Sequence, residues 1–352
     1  MGFMRAQAPG RVNLIGDHTD YTGGLALPMA VDRRTVVDVE PGGDVWELRS
    51  DADPDPAILA VDGGGPPTVQ PPWARYMAGV LAVVGAGAGC RVDGGQVDGG
   101  RVDGGQVDGG QVTVATDLPV GAGLSSSAAL EVAFALALGF QGTPLELALA
   151  CQRAEHLASG VPSGVMDQLA SAGGREGHAL LIDCRSYDIT AVPMPEGVEV
   201  IVADSGQSRT LVGSAYAERR AQCEAAAAII GPLRDASFDD LAELADDVLR
   251  RRARHVVTEN ARVLAFADAL HRRDLGAAGR LMVESHHSLR DDFAVSTPAL
   301  DALVERLTAV PGVHGARLTG AGFGGCVVAL AEPGTPVDGW RLRPAAGASV
   351  LR

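Results

Sequence analysis

Three serines follow a glycine-rich turn at the point where a predicted strand leads into a predicted helix. The turn contains Gly121 and Gly123, and the serines are Ser125, Ser126 and Ser127. Glycines let the backbone curl around an anion, and the start of a helix offers unpaired N–H groups and a positive dipole end. One serine would be enough to cap the helix. Three serines after Gly-x-Gly therefore favour a loop that binds phosphate.

Polar residues also cluster near the beginning of the sequence. Asp17, His18 and Asp20 lie within four positions, a few residues after Arg11. This spacing suits a ligand with several hydroxyl groups, because carboxylates accept hydrogen bonds and imidazole can accept or donate them. Metal ligation by the same three residues is the less favoured alternative, since zinc sites are normally rich in His or Cys. A solvated loop would not explain why the cluster stands beside Arg11.

A further carboxylate, Asp167, stands in a run of small and apolar residues. A charged group in apolar surroundings needs a partner of opposite charge, and Arg11 is the candidate. The simpler alternative is that Asp167 caps a helix or lies on the surface, as single aspartates usually do. Glu155, on the preceding predicted helix, can face the same loop as Ser127.

A second glycine-rich segment, residues 320–325, matches Gly-x-Gly-x-x-Gly by letter. In a dinucleotide-binding fold this motif follows a strand and opens a helix. Here a strand is predicted to follow the glycines. The motif therefore predicts a tight turn between two strands and no dinucleotide site.

The composition narrows the possible functions. The chain has 352 residues, which suggests about two domains. Its formal net charge is 29 − 44 = −15, which disfavours nucleic-acid partners. The sequence contains no lysine, which excludes Schiff-base chemistry and the lysine-bearing Walker A loop. No apolar run is long enough for a membrane helix and no secretory signal is visible, so a cytoplasmic protein is expected. The cysteines lack Cys-x-x-Cys spacing, which predicts reduced thiols.

The pattern of hydrophobic residues predicts an α+β chain in two halves. Strands are expected within residues 25–61 and at 112–116, 180–184, 198–203, 315–319 and 326–331. Helices are expected at 73–84, 128–138 and 144–158, and over most of 214–309. A five-residue repeat over residues 91–110 predicts a surface insertion. The predicted domains are residues 1–192 and 193–352.

Three of these segments together resemble the GHMP kinase superfamily, and specifically the galactokinase family. Residues 10–21 (GRVNLIGDHTDY) resemble the galactokinase signature, residues 119–129 (PVGAGLSSSAA) resemble the superfamily's ATP loop, and residues 318–326 (LTGAGFGGC) resemble its C-terminal glycine-rich motif. The resemblance spans nearly the whole chain. It implies two α+β domains with the active site in the cleft between them.

The resemblance also implies roles for individual residues. Asp167 would be the catalytic base, and Arg11 would hold it ionised and stabilise the transferring phosphoryl group. ATP would be the co-substrate, with Mg²⁺ near Ser127 and Glu155. The sugar hydroxyls would be held by Asp17, His18, Thr19, Asp20, Gly164 and Tyr216, the last placed through residues 215–224. The ATP phosphates would be wrapped by Gly121, Ala122, Gly123, Leu124, Ser125, Ser126 and Ser127.

One departure leaves alternatives open. Most members of the family carry Glu where this chain has Asp17, which is one methylene shorter. The leading hypothesis is phosphorylation of α-D-galactose at the C1 hydroxyl by a monomer. A related sugar 1-kinase acting on N-acetylgalactosamine or arabinose is the runner-up. A non-catalytic sensor of galactose and ATP is disfavoured because residues 125–128 and Asp167 are intact.

Overall fold

The computed structural model describes residues 3–62, 64–85, 109–119, 121, 123–207 and 212–351, and only the backbone at 212–214. Most of the predicted insertion, residues 91–108, and the predicted phosphate-loop residue Ala122 lie outside these ranges. The last glycine of the repeat, Gly110, begins a strand and is buried. The prediction of a surface insertion is therefore wrong for Gly110, and over residues 91–108 it lies outside the described residues.

The first half of the chain contains both strands and helices, and helices dominate the second half. The strands are β1 (Met4–Asn13), β2 (Leu25–Ala26), β3 (Pro28–Pro41), β4 (Val45–Ser50), β5 (Ala57–Ala60), β6 (Gly110–Thr116), β7 (His178–Asp183), β8 (Ile189–Pro193), β9 (Glu199–Asp204), β10 (Val313–Thr319), β11 (Cys326–Ala331), β12 (Trp340–Leu342) and β13 (Ser349–Leu351). The helices are α1 (Ala74–Val80), α2 (Ser126–Ala137), α3 (Pro144–Ser159), α4 (Met166–Gly173), α5 (Val212–Ile230), α6 (Asp247–His271), α7 (Leu275–Asp291) and α8 (Pro298–Thr308).

The described strands form three sheets. The largest has the order β13-β1-β3-β6-β4-β5, in which β4 and β6 run parallel and the other pairs antiparallel. A second sheet has the order β10-β11-β9-β12, and a third has the order β2-β7-β8. Helices pack on the sheets, α2 on β1 and β3 and α7 on β10. This mixture confirms the predicted α+β class.

Helix α3, which carries Glu155, begins and ends at clear sequence signals. Thr143 and Glu146 form a capping box at the start of α3, and Pro144 occupies its first turn. Gly160 ends α3 in the left-handed conformation, with φ 70°. Helix α4 then starts only a few residues later, so a short connection joins the two helices. This connection brings the end of α3 and the first turn of α4 to the same place.

Two hydrophobic cores hold the molecule together. The larger packs β1, β3 and β6 against α1, α2 and α3, with Trp46 and Phe134 fully buried at an edge-to-face angle of 89°. The smaller packs β9, β10 and β11 against α6 and α8. The division into residues 1–192 and 193–352 stays a prediction. The last described strand, β13, returns to the first sheet and pairs with β1.

Candidate active site

A cavity of about 590 Å³ lies where segments from both halves of the chain meet. Its walls are the turn after β1, the serine turn before α2, the connection from α3 to α4, the helix α5 and the turn after β10. The predicted site residues that line it are Arg11, Asp17, His18, Asp20, Gly121, Gly123, Ser125, Ser126, Ser127, Glu155, Gly164, Asp167 and Tyr216. The structure therefore brings together segments that are about 300 positions apart in the sequence, such as Asp17 and Gly320.

Arg11 and Asp167 both line this cavity and form a bidentate ion pair. Arg11 Nε donates to Asp167 Oδ1 at 2.7 Å, and Arg11 Nη2 donates to Asp167 Oδ2 at 2.5 Å. The Arg11 side chain is only 6% exposed, whereas that of Asp167 is 28% exposed to the cavity. Charge-assisted bonds of this kind fix the orientation of the carboxylate. Asp167 is thus an accessible carboxylate that can accept a proton.

Two hydrogen bonds connect the serine turn to the same ion pair. Arg11 Nη1 donates to the carbonyl of Gly123 at 2.6 Å, and Ser125 Oγ donates to Asp167 Oδ2 at 2.5 Å. Ser125 stands just before α2 in the left-handed conformation, with φ 53°. A residue other than glycine rarely adopts this conformation. The hydrogen bond to Asp167 helps to hold it there, so the turn and the carboxylate share one geometry.

Other residues of the serine turn have different environments. Gly121 and Gly123 have φ angles of 81° and 73°, which only glycine adopts without strain. Ser127 Oγ donates to Glu155 Oε1 at 3.2 Å, in the position predicted for a metal site. Leu124 differs, because its side chain is buried in the core and only its carbonyl contacts Arg11 N, at 3.0 Å.

Asp20 lies at the sugar-facing wall predicted from the sequence. A Cβ atom at Gly164 would lie 1.8 Å from Asp20 Oδ2, so the two residues are in close contact. Loss of solvent raises the pKa of Asp20 to about 7, and the neighbouring Asp167 and Asp17 add to the shift. Near neutral pH this carboxyl exists in both protonation states. It can therefore either donate or accept a hydrogen bond with a ligand hydroxyl.

Asp17 is buried and already bound by two groups of the second half of the chain. Its Oδ2 lies 2.6 Å from Nη1 of the fully buried Arg317, and its Oδ1 accepts from the backbone N–H of Gly320 at 2.9 Å. Asp17 thus joins the first polar cluster to the C-terminal glycine-rich turn. Thr19 is also buried, and its hydroxyl lies within hydrogen-bonding distance of the carbonyls of Gly16 and Leu25. It supports the loop from behind, away from the cavity wall.

His18 belongs to an aromatic cluster beside the cavity. Its ring lies 5.4 Å from that of Tyr216 and 4.8 Å from that of Phe293, and its Nδ1 is 3.0 Å from the Tyr21 hydroxyl. Burial lowers the pKa of His18 to about 3, and the nearby His255 adds to this effect. The imidazole is therefore neutral at physiological pH. It contributes an uncharged wall, and its Nε2 also lies 3.2 Å from the carbonyl of Ala321.

Two polar residues behind Glu155 carry no obvious sequence signal. Gln168 Nε2 donates to Glu155 Oε2 at 2.8 Å and to Glu131 Oε2 at 3.2 Å. Glu131 is fully buried, and desolvation together with the charge of Glu155 raises its pKa well above the usual value. Desolvation, and next the charge of Asp167, also raise the pKa of Glu155. The single clue in the sequence is that Glu131 stands one helical turn after Ser127.

Comparison with known proteins places the chain in a family. A model of the galactokinase galactose-binding signature matches residues 4–41. A galactokinase from Roseiflexus sp. is 44% identical over 344 residues, which cover 93% of this chain and 83% of that protein. A galactokinase from Chloroflexus aggregans is 45% identical over 347 residues, with the same coverage. This chain belongs to the galactokinase family.

The wider comparisons agree with this membership. Models of the N-terminal and C-terminal domains of GHMP kinases match residues 98–175 and 266–339. The structure of Lactococcus lactis galactokinase complexed with galactose superposes with a TM-score of 0.86 and 28% identity, covering 99% of this chain and 95% of that one. The resemblance inferred from the three motifs is confirmed, as is the GHMP kinase fold. As a member of the galactokinase family, the protein is an ATP-dependent sugar kinase.

Within the described ranges, the chain has no helix whose length and apolar character would let it cross a membrane.

Proposed function

We propose that this galactokinase-family protein transfers the γ-phosphoryl group of ATP to the C1 hydroxyl of α-D-galactose, as the first step of galactose breakdown. The observation that supports the proposal is the hydrogen-bonded cluster formed by Arg11, Asp167 and Ser125. It connects the segment that matches the galactose-binding signature to the loop predicted to hold the ATP phosphates. An acceptor hydroxyl and a phosphoryl donor can therefore meet at one carboxylate.

Asp167 supplies the base for the proposed reaction. The proton of the C1 hydroxyl passes to a carboxylate oxygen of Asp167, and the hydroxyl oxygen forms a bond to the γ-phosphorus. The bond from that phosphorus to the bridging oxygen breaks, and ADP leaves with the electron pair. Arg11 stabilises the negative charge that spreads over the transferring group, which is the main demand of phosphoryl transfer.

The sugar is proposed to lie against the wall formed by Asp20, His18, Gly164 and Tyr216. Gly164 lets the Asp20 carboxyl pack directly against its backbone, since a Cβ at position 164 would lie 1.8 Å from Asp20 Oδ2. Asp17 acts differently in this proposal because Arg317 and Gly320 engage its carboxylate. It holds the turn in place behind the sugar wall, and Thr19 does the same through its hydroxyl.

The nucleotide is proposed to extend from the serine turn into the part of the cavity lined by Trp73, Tyr76 and Leu130. Flat aromatic and apolar side chains suit a nucleobase. The sequence motifs did not indicate these residues.

We also propose that Mg²⁺ binds between Ser127 and Glu155. Both offer hard oxygen donors, and Ser127 Oγ lies 3.2 Å from Glu155 Oε1. No cluster of three or more His, Cys, Asp or Glu in the described part of the chain is arranged to hold a metal. Two protein ligands fit Mg²⁺, which keeps several waters and shares substrate phosphates. When bound, the ion would neutralise phosphate charge.

We also propose that the protein acts as a monomer. ATP is a cytoplasmic co-substrate, which supports a cytoplasmic location. We propose galactose and Mg-ATP as its partners, with no nucleic acid or membrane.

The test is ADP release by the purified protein with Mg-ATP and one sugar at a time. Galactose, glucose, N-acetylgalactosamine and arabinose form the panel. Release with galactose alone is the expected result. Release only with N-acetylgalactosamine or arabinose would favour the runner-up substrates and contradict the proposal. Galactose binding without ADP release from any sugar would instead favour a sensor.

A further inference from the structure

From its position on α5, Arg220 contacts the connection between α3 and α4, a residue of its own helix and the Tyr21 ring. Its Nη1 donates to the carbonyl of Pro162 at 2.5 Å, and its Nε donates to Glu224 Oε1 at 2.8 Å. Its guanidinium carbon lies 5.8 Å from the centre of the Tyr21 ring. Arg220 also stands one helical turn after Tyr216, so the two side chains share a face of α5.

The segment that Arg220 binds, residues 161–164, is the connection from α3 to α4. From the first half of the chain, Gln152 Nε2 and His156 Nε2 contact the carbonyl of Ser163 at 3.0 and 2.9 Å. From the second half, Arg220 contacts the carbonyl of Pro162. The connection is therefore clamped between α3 and α5. Its last residue, Gly164, lies against the Asp20 carboxyl.

Tyr216 contributes to the sugar wall from α5, whereas Gly164 contributes from the connection between α3 and α4. Its ring packs against those of Tyr21 and His18, at centroid distances of 5.3 and 5.4 Å. Both Tyr216 and Gly164 line the cavity. Arg220 joins the helix of Tyr216 to the connection that contains Gly164.

We propose that Arg220 is a positioning residue for the sugar. It fastens α5 to residues 161–164 and thereby fixes Tyr216 relative to Asp20 and Gly164. This role rests on the proposed function, because it assigns the sugar to that wall. The bond to the Pro162 carbonyl carries the role, and the ion pair to Glu224 does not, since the Glu224 side chain is 64% exposed.

The test compares three variants of the full-length protein. Arg220→Gln removes the charge and the reach to Pro162, Arg220→Lys keeps the charge with one donor group, and Glu224→Gln removes only the exposed ion pair. We expect Arg220→Gln to raise the KM for galactose about tenfold or more, as loss of a charge-assisted hydrogen bond would. The KM for ATP should stay within about twofold. Arg220→Lys should recover part of the loss, and Glu224→Gln should resemble the parent protein.

A second measurement needs no substrate. Hydrogen exchange at the backbone amides of residues 161–164 and of α5 should be faster in Arg220→Gln than in Glu224→Gln. An unchanged KM for galactose with unchanged exchange would overturn the proposal. A parallel rise of both KM values with a lower melting temperature would also overturn it, because that pattern marks a general loss of structure. If the parent protein phosphorylates a different sugar, the same series is run with that sugar. If the parent protein phosphorylates no sugar, the hydrogen-exchange comparison alone tests whether Arg220 holds residues 161–164 against α5.

Discussion

A side chain at position 164 would collide with the carboxyl group of Asp20, since a Cβ atom there would lie 1.8 Å from Oδ2 and 2.3 Å from Cγ. We expect Gly164→Ala to displace Asp20 and to raise the KM for galactose at least about tenfold, by loss of a hydrogen bond to a charged group. Steady-state kinetics with varied sugar would measure this. Gly173→Ala is the matched control, because a Cβ there meets only ordinary contacts of 3.5 Å. Normal kinetics in the Gly164→Ala variant would contradict the proposal that the sugar binds at this wall.

Replacement of Asp167 by asparagine tests the proposed base. Asparagine has nearly the same size as aspartate and keeps one carbonyl oxygen, but its amide cannot take up the proton. We expect turnover to fall by about 10² to 10⁴, the usual effect of losing a general base. Galactose binding, measured by calorimetry, should persist. Asp268→Asn, which alters a surface ion pair with Arg272, controls for the substitution itself. Near-normal turnover in Asp167→Asn would contradict the proposal that Asp167 accepts the proton.

Asp20 makes the protein less stable as the pH rises. Its pKa is about 7 in the folded protein and 3.8 as its ordinary value. Between these two values the folded state holds a proton that the unfolded state has lost, so raising the pH through this window favours unfolding. We expect Asp20→Asn to melt about 2 °C or more above the parent at pH 8. At pH 4 the difference should vanish. Thermal unfolding without ligand measures both, and an equal difference at the two pH values would contradict the assignment.

Glu131 offers a similar test in the buried region behind Glu155. Its Oε1 and the Oε1 of Gln168 are both buried without a hydrogen-bond partner within the described residues. A glutamine at position 131 presents an amide N–H₂ that can donate to Gln168 and carries no charge. Because burial raises the pKa of Glu131, the parent loses stability as the pH rises above 4.5. We expect Glu131→Gln to be at least as stable as the parent at pH 5 and more stable at pH 8. A destabilised variant at pH 8 would show that the charge of Glu131 is needed.

The sequence predicted those parts of the fold whose signals are local. The strand at Gly110–Thr116, the helix at Pro144–Ser159 and the strand pair around the last glycine-rich turn follow from hydrophobic periodicity, capping residues and glycines. Strand β1 was missed because Pro9 and Gly10 normally interrupt strands. In the structure the pairing with β3 shifts between Pro9 and Arg11, so the strand continues past these residues. Helix α4 was missed because it has only eight residues.

Long-range contacts were the harder part of the site. The pairing of Arg11 with Asp167 was inferred from charge, since a buried carboxylate needs a cation, and the ion pair confirms it. No such argument identified Arg317 as the partner of Asp17, because the two are 300 positions apart and the sequence offers 29 arginines. The contact depends on how α6, α7 and β10 pack together. Periodicity within one element does not specify that packing.

The edge of β1 shows a consequence of building a site on a strand. Unpaired backbone groups on a strand edge invite association with other chains. The three residues of β13 cover only Arg5 to Gln7 of this edge. Beyond them, Ser171 Oγ donates to the carbonyl of Pro9, and Arg11 N donates to the carbonyl of Leu124. The segments that shape the cavity also occupy this edge, so the same contacts that assemble the site protect the sheet from aggregation.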